Sequence, residues 1–331
     1  MEKRYFGNTG LEVSRLTFGC GAVGGLMTKG DATDQDRAIA WARDSGINFF
    51  DTAASYGDGV SEENLGRALA GKTDGLVISS KVGIYDKDLS GIAAAINASL
   101  EASLRRLKLD HIDIFQLHNT LGRLDFRGTL KFNQIIDEVI PALEKLSESG
   151  KVRFLGFTAK GEADDINTLI DTGVFSSAQV FYNLLVPSAG EPIPAGYPSD
   201  DFKMLLNKAA QNGVGAIGVR VLAGGALTGT ENRHPLGMQV VAPIGSDTDY
   251  ATDVRRALSF MPLVETGQAA SLTELAIRYV ISNSALPTTE IGIATIEELQ
   301  YATAAVNKGP LSDDALQQIK TTQMKFVSNA H

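Results

Sequence analysis

INFFDTAASYGDGVSEENLGRAL, residues 47–69, reads as a complete strand, loop and helix. Its apolar run stops at Asp51, a loop of small residues carries Tyr56, and apolar positions return at helical spacing over 62–70. Ser61 ahead of Glu62 and Glu63 has the composition of a helix start: a hydroxyl to accept a backbone N–H, then acidic side chains in the first turn. The same order recurs on both sides. A hairpin (4–6 with 13–15) precedes RLTFG and an amphipathic stretch over 34–45. Downstream, GLVISSK leads into a helix over 90–107, HIDIFQLH into 135–149, VRFLGFT into 164–172, and SAQVFYN into 201–211. VGAIGVRV with 271–281 and TEIGIA with 296–306 complete the series, and a tail helix is expected over 313–326. Alternating strands and helices imply a parallel sheet. Eight such units predict a closed (β/α)8 TIM barrel with an N-terminal β-hairpin and a C-terminal tail helix, read as one domain over residues 1–331.

Punctuation supports this division. Ser271 with Glu274 forms a capping-box pattern, and Gly150, Gly173 and Gly213 fall just past expected helix ends. The longest irregular stretches, 119–130, 185–199 and 229–252, would follow strands four, six and seven on the face where barrels carry their sites. The 331 residues are 44% hydrophobic and 21% charged, ordinary for a globular protein with a sizeable core. A net charge of −9, with no basic run, argues against nucleic acid or an anionic membrane as partner. One cysteine excludes an internal disulfide framework, and four histidines without Cys/His spacing predict no metal site. MEKRYFGNTG at the start has no apolar signal core, so a cytoplasmic location is expected.

Residues 19–24, GCGAVG, match the dinucleotide pattern G-x-G-x-x-G. No helix opens at those glycines and no acidic residue ends the next strand at the required distance, so the stretch is read as a close-packed loop. The stronger signal is elsewhere. Asp51, Lys81 and His118 end three successive apolar runs. A charge in apolar surroundings is costly unless paired, so these strand ends are expected to meet. Singly, each has a plain structural role: Asp51 caps a turn, Tyr56 is a loop aromatic, Lys81 reaches water, and His118 is a hydrogen-bonded core residue. Jointly they describe an acid–base site. Lys81, charged through Asp51, is expected to favour tyrosinate and lower the Tyr56 pKa. Tyr56 then protonates a carbonyl oxygen to which His118 also donates.

FFDTAASYG (49–57), SSK (79–81), FQLHN (115–119), QVFYN (179–183) and VRVLAGGALTG (219–229) together resemble the aldo-keto reductase superfamily, along essentially the whole chain. The resemblance implies hydride transfer between a nicotinamide cofactor and a carbonyl or alcohol, with bacterial sugar-handling and aldehyde-handling members the most alike. It makes Tyr56 the general acid, Lys81 and Asp51 the pair that tunes it, and His118 the group that orients the carbonyl. It further implies that Gln179 holds the nicotinamide amide and Tyr182 stacks on the ring. Thr158 stands for the usual serine, Ala159 replaces a common asparagine, and Leu222 and Gly224 wrap the pyrophosphate.

The segment after strand eight, GIATIEELQYA (292–302), contributes Gly292, Ala294 and Glu298 to the cofactor site in this reading. It lacks the cation that NADP-preferring relatives place against the 2′-phosphate, leaving Arg220, Arg233 or Lys308 as candidates. NADP(H) is the expectation, with NAD(H) the alternative. Met27, Tyr85, Asn119 and Arg123 are the expected substrate contacts. The implied partner is a small carbonyl or sugar. Two other functions fit the same resemblance: NAD-dependent oxidation of a lactol, and a redox-sensing regulatory subunit. Oligomeric state is not legible.

Overall fold

The computed structural model describes residues 1–122, 130–246 and 248–328. A two-stranded antiparallel hairpin, β1 (Lys3–Tyr5) and β2 (Glu12–Ser14), comes first. Eight parallel strands then close into a barrel: β3 (Leu16–Gly19), β4 (Phe49–Asp51), β5 (Val77–Val82), β6 (Ile112–Leu117), β7 (Val152–Ala159), β8 (Ser177–Phe181), β9 (Gly215–Val219) and β10 (Thr288–Gly292). β10 pairs with both β9 and β3, so no edge is left open. The barrel, hairpin and tail helix (Asp313–Ser328) are those the sequence predicts.

Side chains alternate between lumen and helix layer along each strand. This alternation divides the lumen into two layers. At the closed end Phe49, Val77, Ile114 and Ile217 pack with Phe6 and Val13 of the hairpin region, Phe6 and Phe49 meeting edge to face at 5.7 Å. The hairpin is thus an apolar plug. Two residues further along the strands the lumen becomes polar, with Asp51, Ser79, Gln116 and Gln179 hydrogen-bonded to one another. A dry floor below the open end raises the electrostatic worth of every charge above it.

Arg15 ties the barrel to its outer helices. Its buried guanidinium donates to the carbonyls of Leu286, Pro287 and Ile281, at the end of the helix Leu272–Ser282. Burial, with Arg4 nearby, pushes its pKa down to about 10. Arg15→Met is expected to destabilise the fold by an amount on the order of 1–3 kcal/mol, because it orphans buried acceptors. Urea unfolding midpoints measure this; an unchanged midpoint would contradict the assignment.

Several boundaries differ from the sequence reading. The helix expected to start after Ser61 runs Val60–Leu69 from Gly59, whose φ of 95° suits glycine. Ser61 lies inside it, donating to the Cys20 carbonyl at 3.0 Å and sharing a hydrogen bond with Thr52. The helix expected over 201–211 begins at Leu205, because Lys203 and Met204 adopt positive φ. The stretch over 135–149 opens as a π-helix (Ile135–Val139) before Ile140–Glu148. Two helices, Tyr250–Leu258 and Met261–Glu265, were not anticipated; Asp249 caps the first. Ser271 does cap its helix, accepting from Glu274 N–H at 3.1 Å. The GCGAVG stretch is a close-packed loop, with Gly24 jammed against the Ile293 backbone where no Cβ fits.

Candidate active site

Asp51 closes β4 and lies cross-strand from Ser79, which places its carboxylate in the lumen under the loop that carries Tyr56. It accepts hydrogen bonds from Ser79 Oγ at 2.6 Å, from Gln116 Nε2 at 3.2 Å and from Gln179 Nε2 at 3.2 Å, and it pairs with Lys81. Lys81 sits two residues beyond Ser79 on β5, on the same lumen face. Its ammonium also donates to the Thr52 carbonyl at 2.8 Å and reaches the Tyr56 hydroxyl at 3.3 Å. His118 follows β6, its ring edge-on to Tyr56 with centroids 5.8 Å apart. Ser55 Oγ lies 3.5 Å from His118 Nδ1. The four residues singled out by sequence therefore converge at the open end of the barrel.

The electrostatics differ from expectation in one respect. Tyr56 is not made acidic: burial lifts its pKa to about 12, reinforced by Asp51 and Glu290 and only partly opposed by Lys81. Lys81 does act in the predicted direction, but desolvation of a phenolate outweighs it. Burial alone would lower the Lys81 pKa, yet Asp51, Tyr56 and Glu290 raise it above the ordinary lysine range. The ammonium is therefore held charged, and Tyr56 remains a proton-bearing phenol at neutral pH.

The remaining expected contacts scatter. Thr158 and Gln179 are cross-strand neighbours, Thr158 Oγ1 donating to Gln179 Oε1 at 3.2 Å. Gln179 Nε2 is shared between Asp51 and Glu290, so its amide is already engaged. Tyr182 does not face the tetrad. Its ring lies outside the barrel, stacked on Tyr279 at 5.1 Å and lining a cavity with Glu191 and Asn283. Met27 is packed in the core by the short helix Leu26–Lys29. Asn119 is buried, and its amide clasps Ile84 N–H and C=O at 2.8 Å each. Tyr85 is half-buried in the loop after β5. Arg123 lies outside the described residues.

Leu222 and Gly224 fall in the turn after β9. Gly224 and Gly225 hold φ of 69° and 111°, and the guanidiniums of Arg220 and Arg233 lie where their side chains would be. A glycine turn flanked by two guanidiniums fits a phosphate group. Gly292 ends β10. Ala294 N–H is taken by the Glu298 carboxylate at 2.7 Å, and Thr295 caps the helix Ile296–Asn307, so Glu298 braces its own loop. The reading of the sequence missed Ser79, Gln116 and Glu290. Their signal was present: each is a polar residue inside an apolar strand, on the lumen face.

A closed parallel barrel with a Lys–Asp–Tyr cluster at the C-terminal ends of its strands has its candidate site where (β/α)8 enzymes carry theirs. The family model described as aldo/keto reductase family matches residues 15–323, and the chain belongs to that family. An aldo-keto reductase from Bacillus halodurans, AKR11C1 in its holo form, superposes with a TM-score of 0.73 at 25% identity, covering 97% of this chain and 96% of that one. L-galactose dehydrogenase of Arabidopsis thaliana is 29% identical, over 93% of this chain and 89% of its own length. L-glyceraldehyde 3-phosphate reductase of Escherichia coli (strain K12) is 28% identical, over 96% and 91%. The family uses nicotinamide cofactors and acts on small carbonyl substrates. Among the described residues no helix is long and apolar enough to cross a membrane, and no cluster of His, Cys, Asp and Glu has the form of a metal site.

Proposed function

We propose that this protein reduces an aldehyde or ketone, a sugar or small polar carbonyl, to the alcohol, with Tyr56 as proton donor and NADP(H) as cofactor. The observation that supports this most directly is the Lys81 ammonium, which bridges the buried Asp51 carboxylate and the Tyr56 hydroxyl. A nicotinamide cofactor, when bound, would supply the hydride. Tyr56 gives its proton to the oxygen as negative charge develops there, Lys81 stabilises the phenolate that remains, and His118 orients the same oxygen. Sugar-related relatives support a polar substrate, and the dehydrogenase among them keeps lactol oxidation as the reverse use of the same groups.

Cofactor choice is tested by titration. Arg220 and Arg233 flank the Gly224–Gly225 turn, and burial with Arg233 close by lowers the Arg220 pKa. Two guanidiniums brought together call for an anion. Arg220→Ala and Arg233→Ala are each expected to weaken NADPH at least about tenfold more than NADH, roughly 1.4 kcal/mol. Equal losses for both cofactors, with Glu298→Arg raising NADPH affinity, would make the protein NAD-preferring. A panel of sugars and simple aldehydes run with the preferred cofactor then tests the reaction itself. Absence of any nicotinamide-linked turnover would reject the reading.

A further inference from the structure

Glu290 is a lumen carboxyl that the reaction above does not use. It occupies the middle of β10, on the same face as Thr288 and Gly292. Gly19 on the adjacent strand β3 leaves it room: a Cβ there would stand 3.0 Å from Glu290 Oε1. Its other oxygen accepts from Gln179 Nε2 at 2.9 Å, and the same nitrogen donates to Asp51 at 3.2 Å. One amide group therefore straddles two carboxyls.

The two carboxyls are partnered unequally. Asp51 receives an ammonium, a hydroxyl and two amide N–H groups. Among the described residues Glu290 receives one amide N–H, and that same amide links it to Asp51. Two carboxyls bridged this closely do not both stay ionised, and the one that lacks the Lys81 ammonium is the one that keeps a proton. The ionisable groups facing Glu290 are Asp51 from β4, Lys81 from β5, Tyr56 from the loop after β4, and the Cys20 thiol after β3. Gln116, Thr158 and Gln179 on β6, β7 and β8 are neutral; β9 carries no ionisable side chain, and the Arg220 guanidinium directly after it acts on Tyr56 as a second, fixed cation. Burial, then Asp51, pushes the Glu290 carboxyl well above its ordinary range against the pull of Lys81.

We propose that Glu290 is a positioning residue of this site, a neutral carboxylic acid that holds Gln179 against Asp51 and sets the acidity of Tyr56. The inference rests on Tyr56 being the proton donor. With Glu290 neutral, the groups beneath Tyr56 carry one ammonium and one carboxylate. When Glu290 ionises at high pH, a second negative charge faces Tyr56 and makes its proton harder to remove. In the wild type, therefore, the loss of reductase activity at high pH is delayed. Removing the titrating group removes the delay.

The test compares the wild type with Glu290→Gln and Glu290→Leu. Infrared difference spectra at about pH 7 are expected to show the carbonyl stretch of a protonated carboxylic acid that both variants lose. Activity–pH profiles with glyceraldehyde are expected to show the falling alkaline limb displaced downward in both variants, by about one pH unit, a tenfold change in phenol acidity. Absence of the acid band overturns the proposal. So does a limb that moves only in Glu290→Leu, since that is a packing effect, or one that moves in neither. Failure of the underlying reading looks different: Tyr56→Phe would keep full activity while the acid band was present.

Discussion

Tyr56→Phe is expected to lower turnover by about 10²–10⁴-fold, the range for losing a general acid, while the cofactor still binds. The substitution keeps the ring, and with it the edge-on contact to His118 at 5.8 Å and the position of the Lys81 ammonium 4.8 Å from the ring centroid. What disappears is the hydroxyl 3.3 Å from Lys81 Nζ. The raised Tyr56 pKa of about 12 gives this prediction a direction in pH. The phenol stays protonated through neutrality, so reduction has its acid available over the whole range, whereas oxidation of an alcohol needs the phenolate and gains as pH rises. Forward and reverse rates measured across pH check this. A phenylalanine variant with near-normal turnover would remove Tyr56 from the chemistry.

The sequence exposed this site because charge is conspicuous where apolar strands end. Asp51, Lys81 and His118 each interrupt such a run, and β-strand parity puts Asp51, Ser79 and Lys81 on one face. Parity also contained what was overlooked. Gln179 points into the lumen, so Phe181 shares its face and Tyr182 must turn outward, as its stacking on Tyr279 records. The Tyr182 assignment came from resemblance, and its ring packs on Tyr279 rather than beside Tyr56. Glu290 was legible by the same rule, as a carboxyl two residues from Thr288 within a buried strand. Depth of burial was not legible. Lys81 was rightly expected to favour tyrosinate, but how far desolvation would outweigh it depends on the packed loop around residue 56. The surroundings of Met27 and Asn119 were not legible for a related reason: a single helical turn holds the first and a backbone clasp the second.

Lys81→Met is expected to have a double effect, on turnover and on stability. Lys81 and Asp51 are fully buried partners. Removing the ammonium leaves the Asp51 carboxylate with only neutral donors, and breaking a buried pair from one side costs about 3–5 kcal/mol. The phenolate of Tyr56 loses the charge that stabilises it, so turnover should fall at least about 10²-fold, as for loss of the acid itself. Replacing both partners, Lys81→Met with Asp51→Leu, removes the stranded charge. It should recover part of the stability and none of the activity, since coupling within one network makes such effects non-additive. The pH dependence follows from the raised Lys81 pKa. A group whose folded pKa is raised contributes stability that is fully present below its unfolded value, about 10.4 for lysine, and is lost only as pH climbs through the folded value. The penalty of Lys81→Met should therefore be constant between about pH 6 and pH 9. Denaturant unfolding across that range decides the matter. A penalty that vanished by the upper end, or a double variant less stable than Lys81→Met alone, would mean that the pair is not the buried unit on which Tyr56 depends.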